Sequence, residues 1–203
     1  MQVRFCDEFG SGFGWIVDEF LQRCSHALVV DGRVWIVDPV DGEAVEKRVR
    51  AAGEPAGVIQ LLDRHNRDCR AFAERFGVPH HVVPYEPIEG APFEFLPVRR
   101  SRFWKEVALW WPQERVLACG DALGTVPELR VGGERLALHP LLRLAPPRRL
   151  GDVEPRHVLC GHGEGVHGDE AAAAVREALA TARRRLPRAW WQGFRATLRN
   201  RLR

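Results

Sequence analysis

The stretch Gly57 to Cys69, G-V-I-Q-L-L-D-R-H-N-R-D-C, constrains the fold more than any other part of the chain. Val58, Ile59, Leu61 and Leu62 follow the breakers Gly53, Pro55 and Gly57, and a short apolar, β-branched run of this kind reads as a buried strand between helices. After Leu62 the character changes abruptly. Asp63, His65, Asp68 and Cys69 each carry an atom able to ligate a metal, and Arg70 to Phe76, with Ala71, Phe72 and Phe76 on one stripe, reads as a helix ending at Gly77. Loops at the strand ends of α/β sheets are where sites gather.

The flanking order supports this reading. Gly10-Ser11-Gly12-Phe13-Gly14 lacks both the lysine of a phosphate loop and the strand and helix of a dinucleotide fingerprint, so it is expected to be a flexible turn. Ala27 to Val30 and Val34 to Val37 form a hairpin through Asp31-Gly32, closed by Asp38-Pro39. Glu43 to Ala52 reads as a helix. Beyond the central loop come a short strand at His81 to Val83, a proline-punctuated connection from Tyr85 to Pro97, and a strand pair at Glu106 to Trp110 and Arg115 to Cys119. Leu136 to Leu150, with three prolines, reads as a broken excursion. His157 to Cys160 is the last strand, and Asp169 to Arg185 is a long helix capped by Asp169.

Three strands therefore empty into polar groups, at Asp63/His65/Asp68, at Gly120-Asp121 and at Gly161-His162-Gly163. With the hairpin S-H-A-L-V-V-D-G-R-V-W-I-V-D-P ahead of them, this order resembles the metallo-β-lactamase fold superfamily over residues 25–185. The resemblance implies an α/β fold, a four-layer αββα sandwich with the site where the strand ends meet. It also implies a hydrolase-like protein acting on a small molecule, a carboxylic ester, thioester or lactone. Laid on the family's H-x-H-x-D-H, the chain reads D-R-H-N-R-D. Asp63 replaces the first histidine, His65 is kept, Arg67 replaces the aspartate and Asp68 replaces the last histidine. Pro97 to Ser101 contains no histidine where another ligand is expected, so an intact dinuclear centre is not expected.

Two chemistries stay open on these residues. His65, Asp121, His162 and Asp63 could hold one divalent metal, zinc or, given the oxygen-rich set, manganese or iron, with Asp63 or Asp68 completing the shell or acting as catalytic base. Alternatively Arg67 pairs with Asp68 or Asp121 and takes over the cation's electrostatic role, leaving a metal-free binding or scaffold module. Cys69 and His167 are candidates for the pocket wall.

Composition bounds the remainder. In 203 residues, 45% hydrophobic and 28% charged, no apolar run reaches the roughly 20 residues of a spanning helix. No secretory signal is visible at Met1 to Gly10, and five irregularly spaced cysteines fit a reducing, cytoplasmic setting. Lys47 and Lys105 are the only lysines, the net charge is +3, and nucleic acid is not an expected partner. Residues 1–185 are taken as the metallo-β-lactamase-like domain and 186–203 as a basic amphipathic helix. There Trp191, Phe194, Leu198 and Leu202 recur at helical spacing among Arg188, Arg195 and Arg199. This segment is expected to turn at Pro187 and bury its apolar stripe against the domain, with an anionic membrane surface or nucleic-acid phosphates as the alternative contacts.

Overall fold

The computed structural model describes residues 2–201. Two mixed sheets lie face to face. The first contains β1 (Arg4–Phe9), β2 (Gly12–Ile16), β3 (Cys24–Val30), β4 (Arg33–Val37), β5 (Glu54–Gln60) and β6 (His80–Val82), in that spatial order. The first four strands are antiparallel neighbours, whereas β5 and β6 join in parallel after helical crossovers. The next two strands, β7 (Glu94–Ser101) and β8 (Trp104–Trp111), pair antiparallel, and β9 (Val116–Cys119) returns beside β8. A separate two-stranded ribbon, β10 (Leu123–Gly124) with β11 (Ala137–Leu138), follows. The second sheet is completed by β12 (His157–Cys160), parallel to β9, and β13 (Val166–His167).

Helices cover both outer faces. Between the sheets pack Leu28, Trp35, Ile59, Phe95, Leu109 and Leu159. On the outer face of the first sheet, Trp15, Ile36 and Val58 meet Val45 and Val49 of α1 (Val45–Ala52) and Phe72 of α2 (Cys69–Phe76). On the other side, Ala108, Leu117 and Val158 meet Ala171, Val175 and Ala178 of α3 (Glu170–Arg201). Inward residues at period two on the strands and 3.6 on the helices produce this layering. The result is the expected four-layer αββα sandwich.

Several elements differ from expectation, each for a visible reason. The glycine-rich Gly10 to Gly14 is not a free turn: only Gly10-Ser11 turns, and Gly12 to Gly14 belong to β2. Part of the proline-punctuated connection is strand, because β7 lies at the edge of its sheet and absorbs Pro97 at a register shift between Pro97 and Arg99. The chain does not turn at Pro187. A single helix of 32 residues runs through it, and its inward side past that point is made by small residues, Ala189 and Ala196. Gln192 donates to the carbonyls of Pro127 and Arg130. Trp191, Phe194 and Leu198, expected to be buried, are exposed together with Trp190. Leu202 and Arg203, the end of the proposed amphipathic segment, lie outside the described residues.

The excursion after β11 is anchored by a buried ion pair. Arg143 and Glu134 are both fully buried; Nη1 donates to Oε1 at 2.7 Å and Nη2 to Oε2 at 2.8 Å, with Leu129 O also within reach. A buried guanidinium stripped of its carboxylate is strongly unfavourable, whereas apolar replacement of both partners is far better tolerated. Glu134→Ala is expected to cost about 3–5 kcal/mol in urea denaturation, and the double variant Glu134→Leu/Arg143→Leu much less. Equal losses in the two would mean that the pair contributes only its packing.

Candidate metal centre

Three strand ends and one turn build the centre. β9 and β12 are parallel and in register, Cys119 beside Cys160, so Asp121 and His162 leave their strands as neighbours. From the first sheet, β5 is followed by the turn at Asp63 to Arg67, in which His65 N–H donates to Leu62 O and lifts the imidazole toward them. The ends meet closely. A side chain at Gly161 would stand 2.5 Å from Gly120 O and 3.0 Å from the His65 ring, so only glycine allows the two loops to touch here.

The polar atoms converge on one carboxylate oxygen. His65 Nε2 lies 2.9 Å from Asp121 Oδ1, and His162 Nε2 lies 3.0 Å from the same atom. Each ring is fixed from its far side: His65 Nδ1 stands 2.8 Å from Asp38 Oδ2, and His162 Nδ1 is 2.7 Å from Leu21 O. Asp38 is itself held by the Leu61 N–H on its other oxygen.

This hydrogen bonding has a shortage of donors. A carbonyl can only accept, so the Nδ1 proton of His162 goes to Leu21 O, and in a neutral ring Nε2 then presents a lone pair to the Asp121 carboxylate. His65 faces carboxylates on both nitrogens. The His162 contact with Asp121, and one of the two carboxylate contacts of His65, therefore need either an extra proton or a cation between the acceptors. Histidine anchored through one nitrogen by a carboxylate or carbonyl, with the other free to ligate, is the usual arrangement around protein-bound metals. His65 Nε2, His162 Nε2 and an Asp121 oxygen form a two-histidine, one-carboxylate set that fits a divalent zinc, manganese or iron ion and leaves coordination positions open.

Charge follows the same geometry. Burial and Arg67 both oppose a charged His65, yet Asp38 and Asp121 outweigh them and raise its pKa above the ordinary imidazole value. Burial alone would raise the Asp121 pKa, but hydrogen bonds from His162 and His65 hold it well below the carboxylate range. Behind the centre, fully buried Glu106 is pushed up to about 7 by burial and by Asp121. It accepts from Ala122 N–H at 2.8 Å and Trp104 Nε1 at 2.7 Å.

The other residues singled out in the sequence lie elsewhere. Asp63 and Asp68 contribute no atom to the cluster. Asp68 stands at the start of α2 without a side-chain capping bond and accepts from Asp41 N–H at 2.7 Å, while Asp63 lies beside Arg64. Arg67 does not bridge carboxylates. Its guanidinium donates to three backbone carbonyls, Cys24 O, Asp38 O and Gly161 O, because a positive φ of 38° turns it beneath the centre. Cys69 is buried with its thiol toward His65 O, and His167 faces Asp7 in a different cluster. Asp38 and Glu106 were missed as site residues. Each had a signal: an acid closing an apolar strand, and an acid inside the apolar run W-K-E-V-A-L-W-W.

Solved structures share this architecture. A metallo-β-lactamase from Pontibacter korlensis superposes with a TM-score of 0.62 at 11% identity, covering 88% of this chain and 99% of that one. The chain has the metallo-β-lactamase fold. A putative diflavin flavoprotein A 5 fragment from Nostoc sp. PCC 7120 gives 0.62 at 13% identity over 89% and 96% of the two chains. A metallo-β-lactamase from Hirschia baltica gives 0.59 at 10% identity over 88% and 98%. No protein-family model and no curated protein matches the sequence.

In the metal-free metallo-β-lactamase-fold protein these groups define a pH window. The folded His65 pKa lies above its unfolded value near 6.5, so its stabilisation is fully present below that pH and is lost as pH rises through the folded value. Asp121, depressed from about 3.8, contributes stability present above that pH and lost on further acidification. With chelator present, the urea midpoint should be highest on the acid side of neutrality and decline toward pH 8. Asp121→Asn should flatten that decline. A midpoint rising steadily from pH 6 to 8 would contradict the arrangement.

Proposed function

We propose that the protein is a hydrolase that holds one divalent metal at His65, Asp121 and His162 and acts on a small carboxylic ester, thioester or lactone. The observation that carries this reading is the pair of anchored imidazoles presenting Nε2 to one oxygen of Asp121. A divalent cation bound there supplies Lewis acidity to an acyl carbonyl. Asp38 and the Leu21 carbonyl hold the rings in the ligating orientation. Glu106 fixes the Gly120-Asp121 turn through Ala122 N–H and, with a pKa near 7, limits the negative charge behind the site.

Among the described residues no helix is long and apolar enough to cross a membrane. A cytoplasmic setting is part of the proposal and rests on five unpaired, buried cysteines. A second reading, a binding module without catalysis, is favoured by the limited exposure of the centre: the side chains of His65, Asp121 and His162 are only 8%, 13% and 15% exposed.

Metal analysis of protein purified without chelator, followed by hydrolysis assays on a chromogenic ester, an acyl thioester and an aliphatic lactone, separates the two. The enzyme reading expects turnover that chelator removes and added metal restores. Asp38→Asn should weaken metal binding about 10–100-fold by freeing the His65 ring, and His162→Ala should abolish turnover. Metal bound at the triad with no turnover on any of the three substrates would favour the binding module.

A further inference from the structure

A second cluster of ligating side chains lies at the start of β3, beside the centre but built from none of its ligands, and is independent of the function proposed there. We propose that Cys6, Asp7 and Cys24, with His26 beside them, form a buried site for one structural zinc-type cation. Cys6, Cys24 and His26 are buried, as is Asp7. The Sγ atoms of Cys6 and Cys24 are 3.8 Å apart; Asp7 Oδ2 lies 3.7 Å from the first and 3.8 Å from the second. His26 Nε2 lies 3.4 Å from Cys24 Sγ and 3.2 Å from Asp7 Oδ2. With Zn–S near 2.3 Å and Zn–N or Zn–O near 2.0–2.2 Å, a tetrahedral ion spaces its sulfurs about 3.8 Å apart and its sulfur and nitrogen or oxygen ligands about 3.5 Å apart. The three spacings among Cys6, Asp7 and Cys24 fall close to these, and His26 Nε2 stands near two of the three ligands.

The backbone is shaped for this convergence. Cys6 pairs with Gly14 of β2, and Gly14 with His26 of β3, so the thiols come from strands separated by a third. Strands two places apart are roughly 9.5 Å from one another, beyond the approximately 7 Å that a disulfide can span. The sulfurs meet by leaning over Gly14. A side chain there would stand 2.9 Å from the His26 ring and 3.2 Å from both Cys6 Sγ and Asp7 Oδ2. Alternation along β1 would send Asp7 to the opposite face from Cys6. Instead Asp7 sits at a register shift with φ of 51°, a left-handed conformation disfavoured for a non-glycine residue, which turns its carboxylate into the cluster.

The surroundings complete the pattern expected around a bound ion. Asp7 Oδ1, the oxygen turned away, accepts from Gly165 N–H at 2.8 Å and lies 2.9 Å from His167 Nε2, leaving Oδ2 for the thiols and His26. Burial would raise the Asp7 pKa, yet His167 and His26 hold it well below the carboxylate range. Burial pushes the Cys24 thiol up, so binding a dication displaces the thiol protons to solvent and neutralises charge that the cluster otherwise cannot carry. Because Gly165 and His167 lie at β13, the ion would tie the edge of the first sheet to the edge of the second.

Cobalt(II) distinguishes this cluster from the centre, whose ligand set contains no sulfur. Full-length protein produced in cobalt-supplemented medium should show a near-ultraviolet sulfur-to-cobalt charge-transfer band. His162→Ala and Cys69→Ser should keep it; Cys24→Ser and Cys6→Ser should lose it, with one metal equivalent fewer per chain. A wild-type protein lacking the band, or a band that survives Cys24→Ser, overturns the proposal. The wild-type spectrum decides the matter even where a cysteine variant fails to fold. If the band persists while His162→Ala changes no metal content, the second site stands and the metal at the triad falls.

Discussion

One guanidinium holds the two sheets together where the chemistry is placed. Arg67 donates to the carbonyls of Cys24, Asp38 and Gly161, which lie on or just beyond β3, β4 and β12. These carbonyls sit at strand ends, where ladder partners run out. A planar group with five fixed donors suits such a convergence, and a lysine could not span it. Each of the three residues borders a ligand: Asp38 orients His65, Gly161 precedes His162, and Cys24 belongs to the thiol cluster. The cation that the sequence suggested as a replacement for metal acts instead as a tie beneath the candidate centre.

What could be read from the sequence follows from which signals are local. The strand run into Asp63, the Asp31-Gly32 hairpin and the G-D and G-H-G endings each rest on a few adjacent residues. Together they gave the layer order, which the structure shows. Which way a loop side chain turns is not local. A positive φ at Arg67 moved it from the pocket to its underside, and a backbone hydrogen bond drew Asp68 toward Asp41. His167, a candidate for the pocket wall because it follows His162 closely, lies in β13, which turns it to Asp7 instead. The β1–β2 hairpin was lost among glycines whose purpose is clearance over neighbours rather than a turn. The exposed aromatic face of α3 was misjudged because amphipathic spacing identifies a stripe without saying which stripe meets the domain.

The two clusters share a design in which one aspartate is divided between functions. At Asp121 a single oxygen meets both imidazoles. At Asp7 one oxygen is held by β13 while the other faces the thiols. Burial opposes both charges, yet neighbouring histidines hold both carboxylates below the ordinary range, His162 and His65 at Asp121 and His167 and His26 at Asp7.

The Leu21 carbonyl has a consequence for the time scale of the centre. It caps His162 from the segment between β2 and β3, where Leu21 and Gln22 both adopt positive φ, and the three side chains beneath it are largely shielded. In the site proposed above, an ion held by His65, Asp121 and His162 would reach solvent past that segment, so the segment, and not the ligand bonds alone, would set how fast it exchanges.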